Sequence, residues 1–497
     1  MSTSTNTVPS VLWSRLSEFI AEKMGLYFPP ARWADLRRGI ESMAKEFNFS
    51  DPTACIDWLL KGPLSKAQIL ALAGHLTVGE TYFFREKRTF EVLADSVLPE
   101  LIRLRRSRGR RALRLWSAAC CTGEEPYSLA ILLHQLIPDL ADWNVTIMAT
   151  DINGKFLRKA VAGVYGEWSF RESPPGFRER YFHHAGNGQY EIAPGIKKLV
   201  TFAQVNLVED FYPTLATDTN AMDVIFCRNV LMYFTPAQAA RAVHNLRCAL
   251  IEEGWLAVSP CEASQTLFSR FAPASFPGAI LYQKREGKGQ IAPPLTPPVW
   301  NEAAPVAMLA PEMPVFEMPP AEEPSQPITP PNPLAVATTL YQQGRYAEAV
   351  ETLLNSMATR DAPNLKAFSL LARALANQGE LAGALNWCDR WVAADKLDAS
   401  GHYLRAVVLQ ELGDRNQSRR SLQRATYLRP DLVLAHFALG NLARADGRSD
   451  EADKHFANAL GLLRDCQPND VLPESDGLTA GRLIEIISSI TAVGTSP

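Results

Sequence analysis

The sequence predicts three folded parts: an α/β body built on a doubly wound parallel sheet, an all-helical domain before it, and an all-α repeat array after it. Three observations carry this. Strand-like and helix-like segments alternate from about residue 113 to 258, glycines recur at 344, 379, 413 and 447, and residues 10–90 show only helical periodicity. A length of 497 residues suits about three domains.

Taken in chain order, Leu12, Leu16, Phe19, Ile20 and Met24 give one apolar stripe, and Ile69, Leu70, Leu72 and Leu76 another. Residues 1–90 are therefore read as a helical domain. Ala112-Leu113-Arg114-Leu115-Trp116 is the first strand, followed by small residues and a helix from about Glu125 to Leu136. Val145 to Asp151, Leu199 to Phe202, Met222 to Phe226 and Gly254 to Val258 supply four more strands of a body spanning 91–288. Helices between most of them make the sheet parallel. Residues 165–200 interrupt the alternation. They read as an inserted β-subdomain whose Gly186-Asn187-Gly188 marks a hairpin.

Of 35 prolines, 14 fall between Pro293 and Pro333, so 289–333 is read as an extended linker. Beyond it, the glycines at 35-, 34- and 34-residue spacing are each followed five residues later by Ala349, Ala384, Ser418 or Ala452. Small residues fit where two helices of a unit meet, and the offsets of Gly440, Gly447, Ala452, Phe456 and Ala459 are those of a tetratricopeptide (TPR) unit. Repeats are expected over 334–466, with a tail, 467–497, whose helix Leu483 to Ile490 caps the array. An ordinary helical bundle is the alternative. The array either recruits a protein partner or folds back on the body; the sequence allows both.

Composition narrows the chemistry. The chain is 47% hydrophobic with a net charge of −3, which gives no bulk attraction to nucleic acid or anionic membrane. Eight cysteines, at 55, 120, 121, 227, 248, 261, 388 and 466, form no metal-ligand spacing, so no metal is expected. No leader-like or membrane-spanning stretch is present, and a cytoplasmic protein is expected.

Ligands of such sheets bind beyond the carboxyl ends of the strands. Strand one runs into Ser117-Ala-Ala-Cys-Cys-Thr-Gly-Glu-Glu-Pro126, small residues without GxGxxG or basic groups, which favours an adenosyl ligand lacking phosphates over NAD. Asp151 ends strand two, where a carboxylate accepts from ribose hydroxyls; capping the following helix is the competing role. Arg228-Asn229 follows strand four, and a buried-core reading leaves that pair unexplained. Gly79-Glu-Thr-Tyr-Phe-Phe-Arg-Glu86 is either part of the site or an interdomain hinge.

The segments GETYFFRE, WSAACCTGEEPYSLA, ATDIN, TFAQVNL and FCRNVLMYF, in that order, resemble the CheR family of chemotaxis-receptor glutamate methyltransferases over about residues 10–285. The TPR tail resembles a branch linked to surface sensing and biofilm signalling. The resemblance implies a Rossmann-like S-adenosylmethionine (SAM) fold, with S-adenosylhomocysteine as product. It implies cofactor contacts at Gly79, Thr81, Arg85, Glu124, Asp151, Asn206, Leu207, Arg228 and Asn229. Gly79 departs from the asparagine of many relatives, which removes one polar contact. The insert is slightly shorter than in members that dock on a receptor tether peptide, which points to the tether-independent type. The partner implied is the cytoplasmic region of a methyl-accepting receptor.

A receptor glutamate is ionised at pH 7 and SAM is an activated donor, so the implied reaction needs no base or metal. It needs alignment, and Arg105 and Tyr233 are the candidates to guide the acceptor. Arg32, Arg37 and Arg38 are assigned to substrate binding, and a second cluster, from Arg103 to Arg111, to steering an acidic helix. Two alternatives compete: a SAM-binding scaffold tethered by the TPR, and methylation of nucleic acid or a small molecule. The missing Asn/Asp-Pro-Pro-aromatic motif after strand four argues against the second.

Overall fold

The computed structural model describes residues 9–62, 64, 66–208, 212–285, 332–357 and 364–494. Helices Ser10–Met24, Trp33–Glu46, Pro52–Leu60 and Lys66–Leu76 close on a core that includes Leu16, Ile20, Leu36, Ile40, Ile56 and Leu72. Local chemistry sets their ends. Asp51 accepts from the Ala54 N–H (2.9 Å) and Pro52 follows at the first helical position. Gly25, at φ +80°, ends the first helix.

The body holds strands β1 (Ala112–Ala118), β2 (Asn144–Asp151), β3 (Val164–Gly166), β4 (Phe182–Gly186), β5 (Gln189–Ile192), β6 (Val200–Gln204), β7 (Met222–Cys227), β8 (Leu250–Ala257), β9 (Ala272–Phe276) and β10 (Ala279–Gln283). The large sheet has the order β6-β2-β1-β7-β8-β10-β9, parallel from β6 to β8 and antiparallel beyond. All six residues of β7 are buried, as a strand covered on both faces requires. The five expected strands are therefore present, but the sheet is mixed. The β9–β10 hairpin was not among the expected strands; β9 lies at the sheet edge, where its Pro273 is tolerated.

From β1 the chain moves outward through β2 to β6, then returns to β7 on the other side of β1. The loops after β1 and β7 thus part, and a crevice opens between them. The insert forms a separate sheet, β3-β5-β4, whose hairpin turn has Asn187 at φ +50° and Gly188 at φ +67°. Phe83 packs into this insert, with ring centroids 5.0–5.6 Å from Tyr165, Phe170, Phe177 and Phe182.

Four helix pairs form the array: Pro333–Gln342 with Tyr346–Met357, Leu365–Asn377 with Leu381–Ala394, Ala399–Glu411 with Arg415–Leu428, and Val433–Ala445 with Ser449–Leu463. The four repeat glycines sit in the turns within these pairs at φ +72° to +85°. Pro333 already begins the first helix; the rest of the proline-rich segment lies outside the described residues. The array folds back on the body. Its turns meet the edge where the parallel strands begin: Gly344 against Cys248, Gly379 against Ile251 and Gly413 against Asn144. Arg110, just before β1, donates to the Gly379 carbonyl, and Asn144 at the start of β2 donates to the Glu411 carbonyl (2.8 Å). The final helix, Ala480–Gly494, does more than cap, since the buried Arg482 donates to the Gln204 carbonyl of β6.

Candidate active site

A cleft open to solvent lies at the carboxyl ends of β1, β2, β6 and β7. The β1 loop gives it backbone curvature. Ala119 (φ +66°) and Cys121 (φ +51°) take left-handed conformations that are costly for residues with a Cβ, beside Gly123 at φ +95°. A Cβ on Gly123 would lie 2.8 Å from the Ala160 Cβ and 2.9 Å from the Tyr165 hydroxyl, so only glycine fits.

This curvature aims the Cys121 N–H at Asp151. Asp151 Oδ2 accepts from Cys121 N and Oδ1 from Asn153 N, both at 2.8 Å. The cap of the next helix is Asn153, whose side chain accepts from Lys155 and Phe156 N–H groups. Asp151 is thus free of the capping role and faces the cleft. Burial pushes its carboxyl up to about 6, against those two hydrogen bonds. Cys121 also lines the cleft, and burial raises its thiol to about 12, which removes it as a nucleophile near neutral pH.

Arg228, after β7, is buried and links three elements. It pairs with Glu125 (3.2 Å) and Glu86 (2.9 Å) and donates to the Arg85 carbonyl (2.6 Å). Asn229, at φ +57°, donates through its side chain to Ser259 (2.9 Å). The turn containing it is held by Glu262, which accepts from the backbone of Asn229 and Val230 (both 2.7 Å) and of Met232 (3.3 Å). Asn206 ties the β6 loop to the first helix by donating to the Lys23 carbonyl (2.8 Å).

Of the expected cofactor residues, Thr81, Arg85, Asp151, Asn206, Leu207, Arg228 and Asn229 converge on the cleft. Two do not. Glu124 is buried away from it, accepting from Thr122 (2.6 Å) and from Ser169 of the insert (2.9 Å). Its neighbour Glu125 lines the cleft instead, and helical phase is the reason. Gly79 does not line it either: a Cβ there would lie 2.7 Å from the ring of Phe156, which does.

Arg105 is also corrected. It forms a salt bridge with Asp223 near the start of β7, five residues and roughly 16 Å of strand from Arg228. The cations lining the cleft are Arg32, Arg85 and Arg228, the last already paired with Glu86 and Glu125. Arg32 lies in the turn Pro30–Arg32, its guanidinium 5.1 Å from the Tyr233 ring, which also lines the cleft. Arg37 and Arg38 are exposed on the next helix, Arg37 near the Trp13 ring and Arg38 paired with Asp35. The second arginine cluster is at the wrong edge of the sheet for steering. Arg103, Arg106 and Arg111 pair with Glu100, Asp139 and Asp142, and Arg110 meets the array.

Comparison with known proteins agrees with this geometry. The CheR methyltransferase SAM-binding domain matches residues 79–276, and tetratricopeptide repeats match 340–408, 399–432 and 435–469. A probable chemotaxis protein methyltransferase of Rhizobium etli is 36% identical over 41% of this chain and 75% of its own length. The chain belongs to the CheR family. WspC of Pseudomonas aeruginosa, a probable biofilm formation methyltransferase, is 30% identical over 77% of this chain and 84% of its own, so the likeness extends into the repeats. A chemotaxis protein methyltransferase of Vibrio parahaemolyticus is 29% identical over 56% and 98%.

The cleft fits the cofactor of this CheR protein. The cleft joins the buried Asp151 carboxylate to apolar Ile152, Phe156, Val205 and Leu207, a lining whose chemistry suits an adenosyl group. Sequence reasoning missed Glu125, Phe156 and Glu262. Glu125 was legible only by phasing the helix. Phe156 and Glu262 carry no local signal, since their roles arise from packing between distant segments.

Proposed function

We propose that this CheR protein transfers a methyl group from SAM to glutamate side chains on the cytoplasmic region of a methyl-accepting receptor. The observation that supports this most is Asp151, whose two oxygens each accept one backbone N–H while the carboxylate faces the cleft. SAM supplies a methyl group on a sulfonium that an ionised carboxylate can attack.

Asp151 orients the ribose by accepting from its hydroxyls, a role that needs the ionised carboxylate. Arg85 meets the methionyl carboxylate by charge-assisted hydrogen bonds. Thr81, Asn206 and Leu207 line the remaining wall, and Glu125, neutralised by Arg228, borders the methionyl end. Arg32 takes the role first assigned to Arg105: it draws the acceptor carboxylate toward the cleft while its packing on Tyr233 limits how far it follows. Tyr233 lines the path of the acceptor. The acceptor is ionised at pH 7, so no general base is required, and alignment carries the rate, worth on the order of 7–11 kcal/mol. The product ester removes one negative charge from the receptor.

The test is transfer of labelled methyl from SAM to a purified cytoplasmic receptor fragment, with release of methanol in base. Base-labile label with the full chain, lost in Asp151→Ala, supports the reading. SAM binding without any transfer overturns it in favour of a scaffold.

A further inference from the structure

A second crevice lies between the body and the array. One wall is the sheet at β2 and β6, where Met148 and Thr201 pair in register; the other is the helices Ala399–Glu411 and Val433–Ala445 with the final helix. Topology explains the gap. Among the described residues the crossover from β6 to β7 contains no helix, so this end of the sheet lacks the layer that a doubly wound fold lays over it. The array stands there instead and leaves a space. The crevice is separate from the cofactor cleft; only Val205 lines both.

Its charges are unbalanced. Of the lining acids, Asp142 pairs with Arg111 (3.2 Å), Asp218 pairs with Arg114 (2.7 Å), and Glu411 accepts from Asn220 (3.2 Å). Of the lining cations, Arg114 is used by Asp218, and Arg415 pairs with Asp446 (3.5 Å). Lys198 on the body and Arg444 on the array remain. Both are exposed, and neither has an ion pair among the described residues. Asn441, one turn before Arg444 on the same helix, also lines the crevice, and its side chain has no hydrogen bond among the described residues.

The edge of the sheet is open as well. β6 is an outermost strand. The Leu199 carbonyl accepts from the Ile147 N–H (3.4 Å) and the Val205 N–H donates to the Asp151 carbonyl (3.2 Å), so alternate residues from 199 to 205 face β2. Val200, Phe202 and Gln204 turn their backbone groups the other way. The Gln204 carbonyl accepts from Arg482, whereas the outward groups of Val200 and Phe202 have no partner among the described residues. Consecutive residues from Thr201 to Val205 line the crevice, which therefore wraps round this edge.

We propose that the crevice is the binding site for an extended acidic segment of a partner protein, which adds a strand to β6 and places its carboxylates against Arg444, Asn441 and Lys198. Backbone bonds to Val200 and Phe202 supply affinity that is indifferent to sequence, and the unpaired cations select acidic segments. Apolar side chains of the segment meet Tyr403, Phe437 and Ile486 on the array wall. The array thus both folds back on the body and recruits a partner, through the face it turns to the sheet.

The test is selection of a random twelve-residue peptide library displayed on phage against the full chain, then fluorescence anisotropy with labelled synthetic copies of the enriched peptides. Those peptides are expected to be acidic. Their Kd should rise roughly tenfold in Arg444→Glu and in Lys198→Glu, and less in Asn441→Ala, with S-adenosylhomocysteine affinity unchanged in all three. N-methylation of alternate peptide amides should abolish binding for one set of positions and spare it for the other, as strand pairing requires. Binding that is unchanged in Arg444→Glu with Lys198→Glu, or that survives N-methylation of both sets, overturns the proposal, as does a library that yields nothing above an unrelated bait. Residues 289–331 of this chain hold five glutamates and no lysine or arginine. If peptides bind only after Glu312, Glu317, Glu322 and Glu323 are all replaced by Gln, the occupant is that segment, and the assignment to a partner protein is overturned.

Discussion

Asp151 is held at a thermodynamic disadvantage. Its carboxyl is raised from 3.8 to about 6, so at pH 7 the folded state carries an ionised group that burial disfavours, at a cost of about 3 kcal/mol. The sign is fixed by the direction: the cost is absent below 3.8, grows as pH rises to about 6, and is complete above it. Asp151→Asn, which cannot ionise, should therefore flatten the pH dependence of the melting temperature between pH 4 and pH 7.5 while lowering SAM affinity at least tenfold, by differential scanning fluorimetry and calorimetry. In the wild type, cofactor affinity should fall about tenfold between pH 7 and pH 5 as the acceptor is protonated. Gly79 gives a second residue-level result. The Phe156 ring occupies the space a side chain there would need, so Gly79→Asn should weaken SAM binding, and Phe156→Ala should relieve the defect in the double variant. Asp151, Arg85 and Arg228 were legible because each is a charged residue at a strand end or in an ordered motif. Glu124 and Arg105 misled for one reason: sequence proximity to a motif does not say which way a side chain points.

At the level of elements, alternation and periodicity located the five parallel strands, the hairpin insert and the helix pairs. What stayed hidden was pairing at a distance. The loop after β7 looks autonomous in sequence, yet a single carboxylate from Pro260–Glu262 accepts three of its backbone N–H groups. Glu262→Ala would leave buried donors unmatched, at roughly 1–3 kcal/mol for each such group. The expected outcome is a SAM affinity lowered more than tenfold and rapid amide exchange over 229–234. Glu262→Gln, keeping one acceptor oxygen in place, should fall between that variant and wild type. The GETYFFRE segment shows why two readings of one element can both hold. Phe83 packs into the insert as a hinge would, while Thr81 and Arg85, two residues to either side, face the cleft.

On the scale of the whole molecule, the array and the body share one apolar core, in which Trp116, Ile225 and Leu246 are continuous with Tyr403, Phe437 and Leu442. Leu215 of the body joins a second cluster with Phe368, Trp391 and Leu404 of the repeats. The regular glycine spacing that identifies the repeats therefore also spaces the turns along the sheet edge, a second use that no single-chain pattern reveals. Glu411 closes the junction. Its carboxylate is buried and accepts from the Asn220 side chain at 3.2 and 3.4 Å, near Arg114 and Asp218. Arg114 is already paired with Asp218 at 2.7 Å, and burial outweighs its attraction, raising Glu411 from 4.5 to about 7. Docking should thus be unpenalised below pH 4.5, weaken as pH rises through 7, and carry the full cost, on the order of 3 kcal/mol, above it. Glu411→Gln removes the titrating group while keeping an acceptor for Asn220. The variant should resist proteolysis between body and array better than wild type at pH 8.5 and no better at pH 5. Equal protection at both pH values would show that the junction is held by its apolar contacts and the backbone bonds at Gly379 and Glu411, with the carboxylate a bystander.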